Sequence, residues 1–326
     1  MRLNFDLGPV LGPVKGADPV PPFRAMRRLA LVLLILVAGL VAGCGGSDDA
    51  SSSSGDPKDA LSGLKPISTA TVDASLAITL DNAPAQVGDK VELAFGGPMR
   101  ANGPGKLPSL DWKIAFTSGF SNFNSRVVST GGNVFINLGG ADFAVGEQNI
   151  ARINQSAAGS KNDGLAAVGL DPLAAVTGVK EAGEGDVGGT KTTRYTGAID
   201  VDRALDQIES FLRHLPAQAT SGQGVPQLDL TPEQRDQVKR TFQSPRFEVD
   251  VADDDTIRRM VLTTRFATPA ANQQAAAGIT GGSIEYRVEY TGVGEDVTIS
   301  PVEDARPIEE FNAALEREIA KSTKTR

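Results

Sequence analysis

The sequence predicts an α+β fold: an antiparallel sheet with helices covering one face. Three observations predict it. Runs of strict apolar/polar alternation occupy both ends of the chain, runs with helical spacing occupy the middle, and glycine and proline separate one run from the next. No period of 20 to 50 residues recurs, so a repeat architecture is not expected, and strands flanking helices place both in one domain.

The strands come first. "TVDASLAITL" sets Val72, Ala74, Leu76, Ile78 and Leu80 on one face, and "KVELAF" does the same for Val91, Leu93 and Phe95. "SLDWKIAF" aligns Leu110, Trp112, Ile114 and Phe116, and "NVFINL" aligns Val134, Ile136 and Leu138. Such alternation marks an antiparallel sheet with one covered face.

Residues 146 to 243 read as mainly helical. Asp171 and Pro172 supply an N-cap and a first-turn proline, with Leu173, Val176 and Val179 following at helical spacing. Asp200 caps a second helix whose stripe is Ala204, Leu205, Ile208, Phe211, Leu212 and Leu215. Thr231-Pro232-Glu233-Gln234 has the residues of a capping box. Between the first two helices, "TKTTRYTGAID" is β-branched and reads as a strand.

After Pro245, "RFEVDVADDDTIRRMVLTTRF" is a hairpin around Asp253 to Asp255, with Met260, Leu262 and Thr264 alternating on its second arm. "SIEYRVEYTG" and "DVTIS" read as further strands, and Pro307 to Ala320 as an amphipathic helix with Ile308, Phe311, Leu315 and Ile319 on one side. "ATPAANQQAAAGITGGS" lacks large side chains and reads as a surface loop or as a lip at an opening.

The N-terminal segment has a different logic. Leu29 to Val41 is a 13-residue uncharged block behind Arg27 and Arg28, short for a membrane span of about 20 residues and suited to the apolar core of a signal peptide. It ends in Val41-Ala42-Gly43-Cys44, which resembles the lipobox of bacterial lipoproteins and assigns diacylation to Cys44, the only cysteine. Two acyl chains make a lasting anchor where one is marginal. Gly39 and Gly43 also spell GxxxG, but a cleaved signal peptide has no use for a helix dimer motif. The proline-rich residues 1–25 fit no targeting pattern and are expected to precede the true start at Met26. The expected organisation is therefore an extension at 1–25, a signal peptide at 26–43, a lipidated tether at 44–60, and one domain at 61–326. Its location is the outer face of the cell membrane.

Composition excludes several functions. Beyond Cys44 the chain carries 27 basic and 38 acidic side chains, a net of −11, which repels phosphate backbones, so no nucleic-acid partner is expected. One cysteine cannot form an internal disulfide, and one histidine cannot build a multi-histidine metal site. "GEGDVG" at 183–188 satisfies GxGxxG, but it has acidic residues where a pyrophosphate would lie and a strand where a helix should follow. His214 has no GxSxG elbow beside it and reads as a helix-end residue. Asp250, Asp253, Asp254 and Asp255 lack the glycine and glutamate of an EF-hand loop and read as an acidic hairpin turn. Neither catalytic residues, nor a metal, nor a cofactor are expected.

The lipobox, "SRVVSTGGNVFINLGGADFAV", "DPLAAVTGVKEAGEGDVGGTKTTRYTGAIDV" and "FEVDVADDDTIRRMVLTTRF" together resemble the LppX/LprG type of bacterial lipoprotein, similar in fold to LolA and LolB. The resemblance spans roughly residues 57 to 305. It implies an antiparallel half-barrel sheet whose concave face is covered by helices and which holds acyl chains, with a lipid or acylated glycolipid as ligand, a role in lipid transfer in the actinobacterial envelope, and an envelope transport partner. The expected lining is Leu76, Ile78, Leu93, Phe95, Trp112, Ile114, Phe116, Val134 and Ile136, closed by Ile208, Phe211 and Leu212. The same faces would also serve an ordinary packed core. The alternative is thus a surface lipoprotein with a filled interior that binds a protein or cell-wall partner.

Overall fold

The computed structural model describes residues 61, 63–85, 87–103, 106–119, 121–157, 172–214, 230–274 and 276–324. The N-terminal extension, signal peptide, Cys44 and tether lie outside them, as do Asp171 and Leu215. The side chains of Leu173, Ile208, Phe211, Leu212, His214 and Ile319 are likewise outside the described set.

Twelve strands form one sheet: β1 (Thr69–Asp81), β2 (Lys90–Arg100), β3 (Ser109–Ser118), β4 (Ser121–Thr130), β5 (Val134–Leu138), β6 (Ala141–Ala144), β7 (Val176–Val187), β8 (Thr190–Ile199), β9 (Phe242–Ala252), β10 (Ile257–Ala267), β11 (Gly281–Thr291) and β12 (Arg306–Pro307). Their order is β12-β6-β5-β4-β3-β2-β1-β11-β10-β9-β8-β7. Only the β12–β6 pair is parallel. The sheet stays open, with β7 and β12 at its edges, and four helices pack against it: α1 (Glu147–Ala157), α2 (Val201–His214), α3 (Pro232–Thr241) and α4 (Phe311–Lys324). The alternation predicts the antiparallel sheet with covering helices, and the open half-barrel is the form the resemblance implies. Every described element lies within residues 61–324, so a chain starting at residue 45 keeps all of their contacts.

The register joins the alternating faces. Leu93, Leu76, Tyr286, Leu262 and Phe247 stand directly opposite one another across β2, β1, β11, β10 and β9, and opposite residues in antiparallel pairs share a face. This inner face carries the main core, with Phe95, Trp112, Ile114, Val72, Val249, Met260 and Val288 all buried. The predicted caps are present. Asp200 Oδ1 accepts hydrogen bonds from the Asp202 and Arg203 amides, and Thr231 and Gln234 form a complete capping box. At the C-terminal end, Phe311 meets Phe143 edge to face at 5.5 Å, and Ala314 closes a small cluster with Leu138.

Two local expectations are corrected. The helix expected through Val176 and Val179 is a single 3-10 turn, Pro172–Ala175, after which both valines belong to β7. Gly178 and Gly183, with φ of 61° and 105°, do not continue a helix, whereas pairing with β8 buries Val176. "GEGDVG" is therefore mostly strand, and its last glycine starts the turn. Gly188 and Gly189, both at positive φ, make the two-residue connection to β8. Finally, "DVTIS" forms no strand, because β11 already has β1 on one edge and β10 on the other; only Arg306–Pro307 finds an edge, on β6.

Candidate functional site

The inner face is not covered evenly. At the end where β1 begins, it is plugged. Leu64, Ile67 and Ile150 are buried there, and the Lys65 amide donates to the Asp255 carbonyl at 2.8 Å. Helix α1 is fastened across the same end by Asn154, whose Oδ1 accepts from the Leu107 amide at 2.9 Å and whose Nδ2 donates to the Gly131 carbonyl at 3.1 Å. Such bonds fix the chain where the strands turn and leave few buried backbone groups unpaired.

Along each strand, burial then decreases toward the other end. On β1, Ala70, Val72 and Ala74 are buried, whereas Leu76, Ile78 and Leu80 are half-buried. On β2 and β3, Phe95 and Trp112 are buried, whereas Val91 and Phe116 are half-buried. On β11, Val288 and Tyr290 are buried and Ile284 is half-buried, and Phe123 on β4, opposite Phe116, is 41% exposed. On β1, β2, β3 and β11 a mainly apolar surface thus runs from a packed floor into a half-exposed trough, with Ser125 on β4 and Thr264 on β10 as polar interruptions. An apolar surface of this kind is what a hydrocarbon ligand needs, and it is costly to leave in water.

The residues expected to line a cavity divide along this gradient. Leu93, Phe95, Trp112, Ile114 and Ile136 belong to the packed core, and Leu76, Phe116 and Val134 lean on it half-buried. Ile78 lies on the trough, and Ile208, Phe211 and Leu212 fall on α2 with side chains outside the described set. Sequence reasoning left out Leu262 and Ile284 as trough residues, although their alternation was visible. Tyr286 was left out as well; its place opposite Leu76 and Leu262 depends on register.

The outer face carries most of the paired charges, beside the buried Val128 and Phe135. A hollow of about 450 Å³ lies between Gly96, Gly97, Pro98, Asp111, Lys113 and Arg126. Arg126 donates twice to the Asp111 carboxylate, at 2.7 and 2.6 Å, and this hydrogen bonding holds the Asp111 carboxyl below its ordinary pKa. Further along the sheet, Asp250 is fully buried between Arg259, at 2.7 Å, and Arg194, at 3.1 Å. Its neighbours on the turn are also paired, Asp254 with Arg258 at 2.7 Å and Asp255 with Lys65 at 3.0 Å. Among the described residues no group of three or more His, Cys, Asp or Glu side chains is placed to hold a metal ion.

Two inner-face phenols are perturbed. Burial pushes the Tyr286 phenol well above its ordinary pKa, and burial followed by the charge of Glu181 raises Tyr195. An unfolded chain loses these protons near pH ~10. The folded chain keeps them longer, so their contribution to stability is complete below that pH and is lost as pH rises through the folded values. Urea midpoints are expected to fall above pH ~10, with a shallower fall in Tyr286→Phe. An equal slope in both proteins would show that Tyr286 is not the source.

No protein-family model matches the chain, and no curated protein matches it in sequence. Among solved structures it is similar to LprF from Mycobacterium bovis, at 14% identity and a TM-score of 0.35 over 77% of this chain and 99% of that one. It is also similar to the Mycobacterium tuberculosis lipoprotein LppX, at 16% identity and a TM-score of 0.32 over 74% of this chain and 93% of that one. Both likenesses are remote.

Proposed function

We propose that the protein is a membrane-anchored extracytoplasmic lipoprotein that binds acyl chains of a lipid or lipoglycan on the trough of its inner sheet face. One observation carries the reading: the apolar alternation continues past the packed core, through Leu76, Ile78, Val91, Ile284 and Phe123, where the side chains are only half-buried or exposed. A solid core has no need to extend its apolar face beyond what it covers. Each methylene sheltered there is favourable by about 0.8 kcal/mol, so part of one acyl chain is enough for retention. Cys44, acylated, would hold the protein at the outer membrane face, and transfer to an envelope partner would follow from release of the same chain.

Residues 45–326, secreted without the anchor and purified without detergent, are expected to yield a near-stoichiometric lipid in organic extracts analysed by mass spectrometry. Ile78→Glu is expected to lower that lipid by about tenfold or more while the protein stays folded, because a carboxylate on the trough must be desolvated against hydrocarbon. A well-folded wild type without lipid would favour the filled lipoprotein that binds a protein or cell-wall partner. Full lipid in a folded Ile78→Glu protein would move the site elsewhere.

A further inference from the structure

The row that crosses the inner face at Tyr286 is otherwise hydrocarbon, with Phe116, Leu93 and Leu76 on one side and Leu262 and Phe247 on the other. In its middle stands a phenol whose oxygen is closed off from solvent and meets no hydrogen-bond partner among the described residues. Proteins rarely leave a buried hydroxyl in that condition, and phenylalanine would fill the same space without the penalty.

Among the described residues of the neighbouring rows nothing accepts from this hydroxyl. Ile284 and Ile78 lie on the open side, and Val288, Ala74 and Met260 lie on the packed side. Thr264, on β10 opposite Ile284, directs its one proton to the Gln243 or the Arg265 carbonyl, at 3.3 and 3.1 Å, and its oxygen accepts nothing from Tyr286. The orphaned hydroxyl therefore sits at the boundary between the packed floor and the half-exposed trough, where one end of an acyl chain would rest.

We propose that Tyr286 is the polar handle of the acyl-chain site, donating its O–H to an ester carbonyl and selecting neutral, ester-linked lipids over ether-linked chains of the same length. This rests on the reading of the inner face as an acyl-chain site. The acceptor is an ester and not a carboxylate because these rows hold no cation to balance a buried anion. The raised phenol stays protonated at physiological pH, so the donor is always available. The ester carbonyl in turn lets the hydrocarbon on both sides remain in apolar contact.

The test is a cycle of two ligands and two proteins. Residues 45–326 are titrated with a long-chain diacylglycerol and with the dialkyl ether of equal chain length, each delivered from cyclodextrin so that no competing lipid is present. Wild type is expected to prefer the ester by about five- to tenfold, as one neutral hydrogen bond allows. Tyr286→Phe is expected to bind both alike, with affinity for the ether unchanged and stability without ligand equal to or above wild type. Unchanged affinity for the ether shows that the variant is folded and its apolar site intact. An ester preference that survives in Tyr286→Phe, or that is missing from wild type, overturns the assignment. Binding of neither probe by wild type overturns the acyl-chain reading itself and the proposal with it.

Discussion

Asp250→Ala is expected to lower folding stability by about 2–4 kcal/mol, read as a drop in the urea midpoint at unchanged slope. The carboxylate has no exposed surface, and it is the shared partner of Arg194 and Arg259 from the strands on either side. Arg259 donates to it through Nε at 2.8 Å, and Thr192 adds a hydroxyl at 3.4 Å. Without the carboxylate, two guanidinium groups would remain side by side, one of them 15% exposed and the other 31%. Their residual contact with water, and Glu248 at 3.4 and 3.5 Å, keeps the loss below that of a fully buried pair. Glycine at 185 belongs to the same arrangement, since a Cβ there would come within 2.6 Å of Asp250 Oδ1. The double variant Asp250→Ala with Arg259→Met is expected to lose less than the sum of the single variants. Additivity would mean that the two side chains do not act as a pair.

Trp112→Ala is expected to cost about 3–5 kcal/mol, the range for removing a large buried aromatic side chain. Trp112 is fully buried, its ring lies 5.4 Å from that of Phe95, and it stands in a row with Val127 and Ile136. Trp112→Phe is expected to cost far less, because the indole N–H has no partner to lose and only volume is removed. A Phe variant as damaged as the Ala variant would mean that the N–H has a partner in solution. The same burial explains why Ile114, 9% exposed and within the core, is a poor place to test lipid retention. A charge there would unfold the sheet, whereas Ile78 is only half-buried.

The inner face was readable because its period is two and its residues are apolar. Ala74, Leu76, Phe95, Trp112 and Ile114 could be assigned to one side without any knowledge of which strands pair. The edge of the sheet was harder to read. Leu173, Val176 and Val179 have helical spacing, and the decision against a helix lay with Gly178 and with β8, a partner that appears only later in the chain. "DVTIS" has the composition of a strand, but β11, which it follows, is already flanked by β1 and β10, and where edges stay open is a property of the whole sheet. Asp250 looked like part of an acidic turn because Asp253, Asp254 and Asp255 follow it closely. Arg194 and Arg259 come beside it through pairings that alternation does not specify. The gradient from floor to trough was equally hidden, since Val72 and Ile78 look alike in sequence and differ only in what the plugged end brings to cover them.

The position of β1 has a consequence for how the molecule is made. Strands β1 to β6 pair with their neighbours in sequence as a meander, and they can assemble as soon as they emerge. The other edge of β1 belongs to β11, whose Tyr290 pairs with Val72 across more than 200 residues. Until β11 arrives, the N-terminal meander presents a strand of 13 residues with a free row of backbone donors and acceptors. Joining the two meanders along this seam is the most non-local pairing in the sheet, and pairing of that kind is expected to be slow and to leave the edge open to association with other chains. Folding yield at rising protein concentration should therefore be governed by this seam, and a substitution that weakens β1–β11 pairing should favour aggregation more strongly than an equally destabilising one within the β3–β4 hairpin.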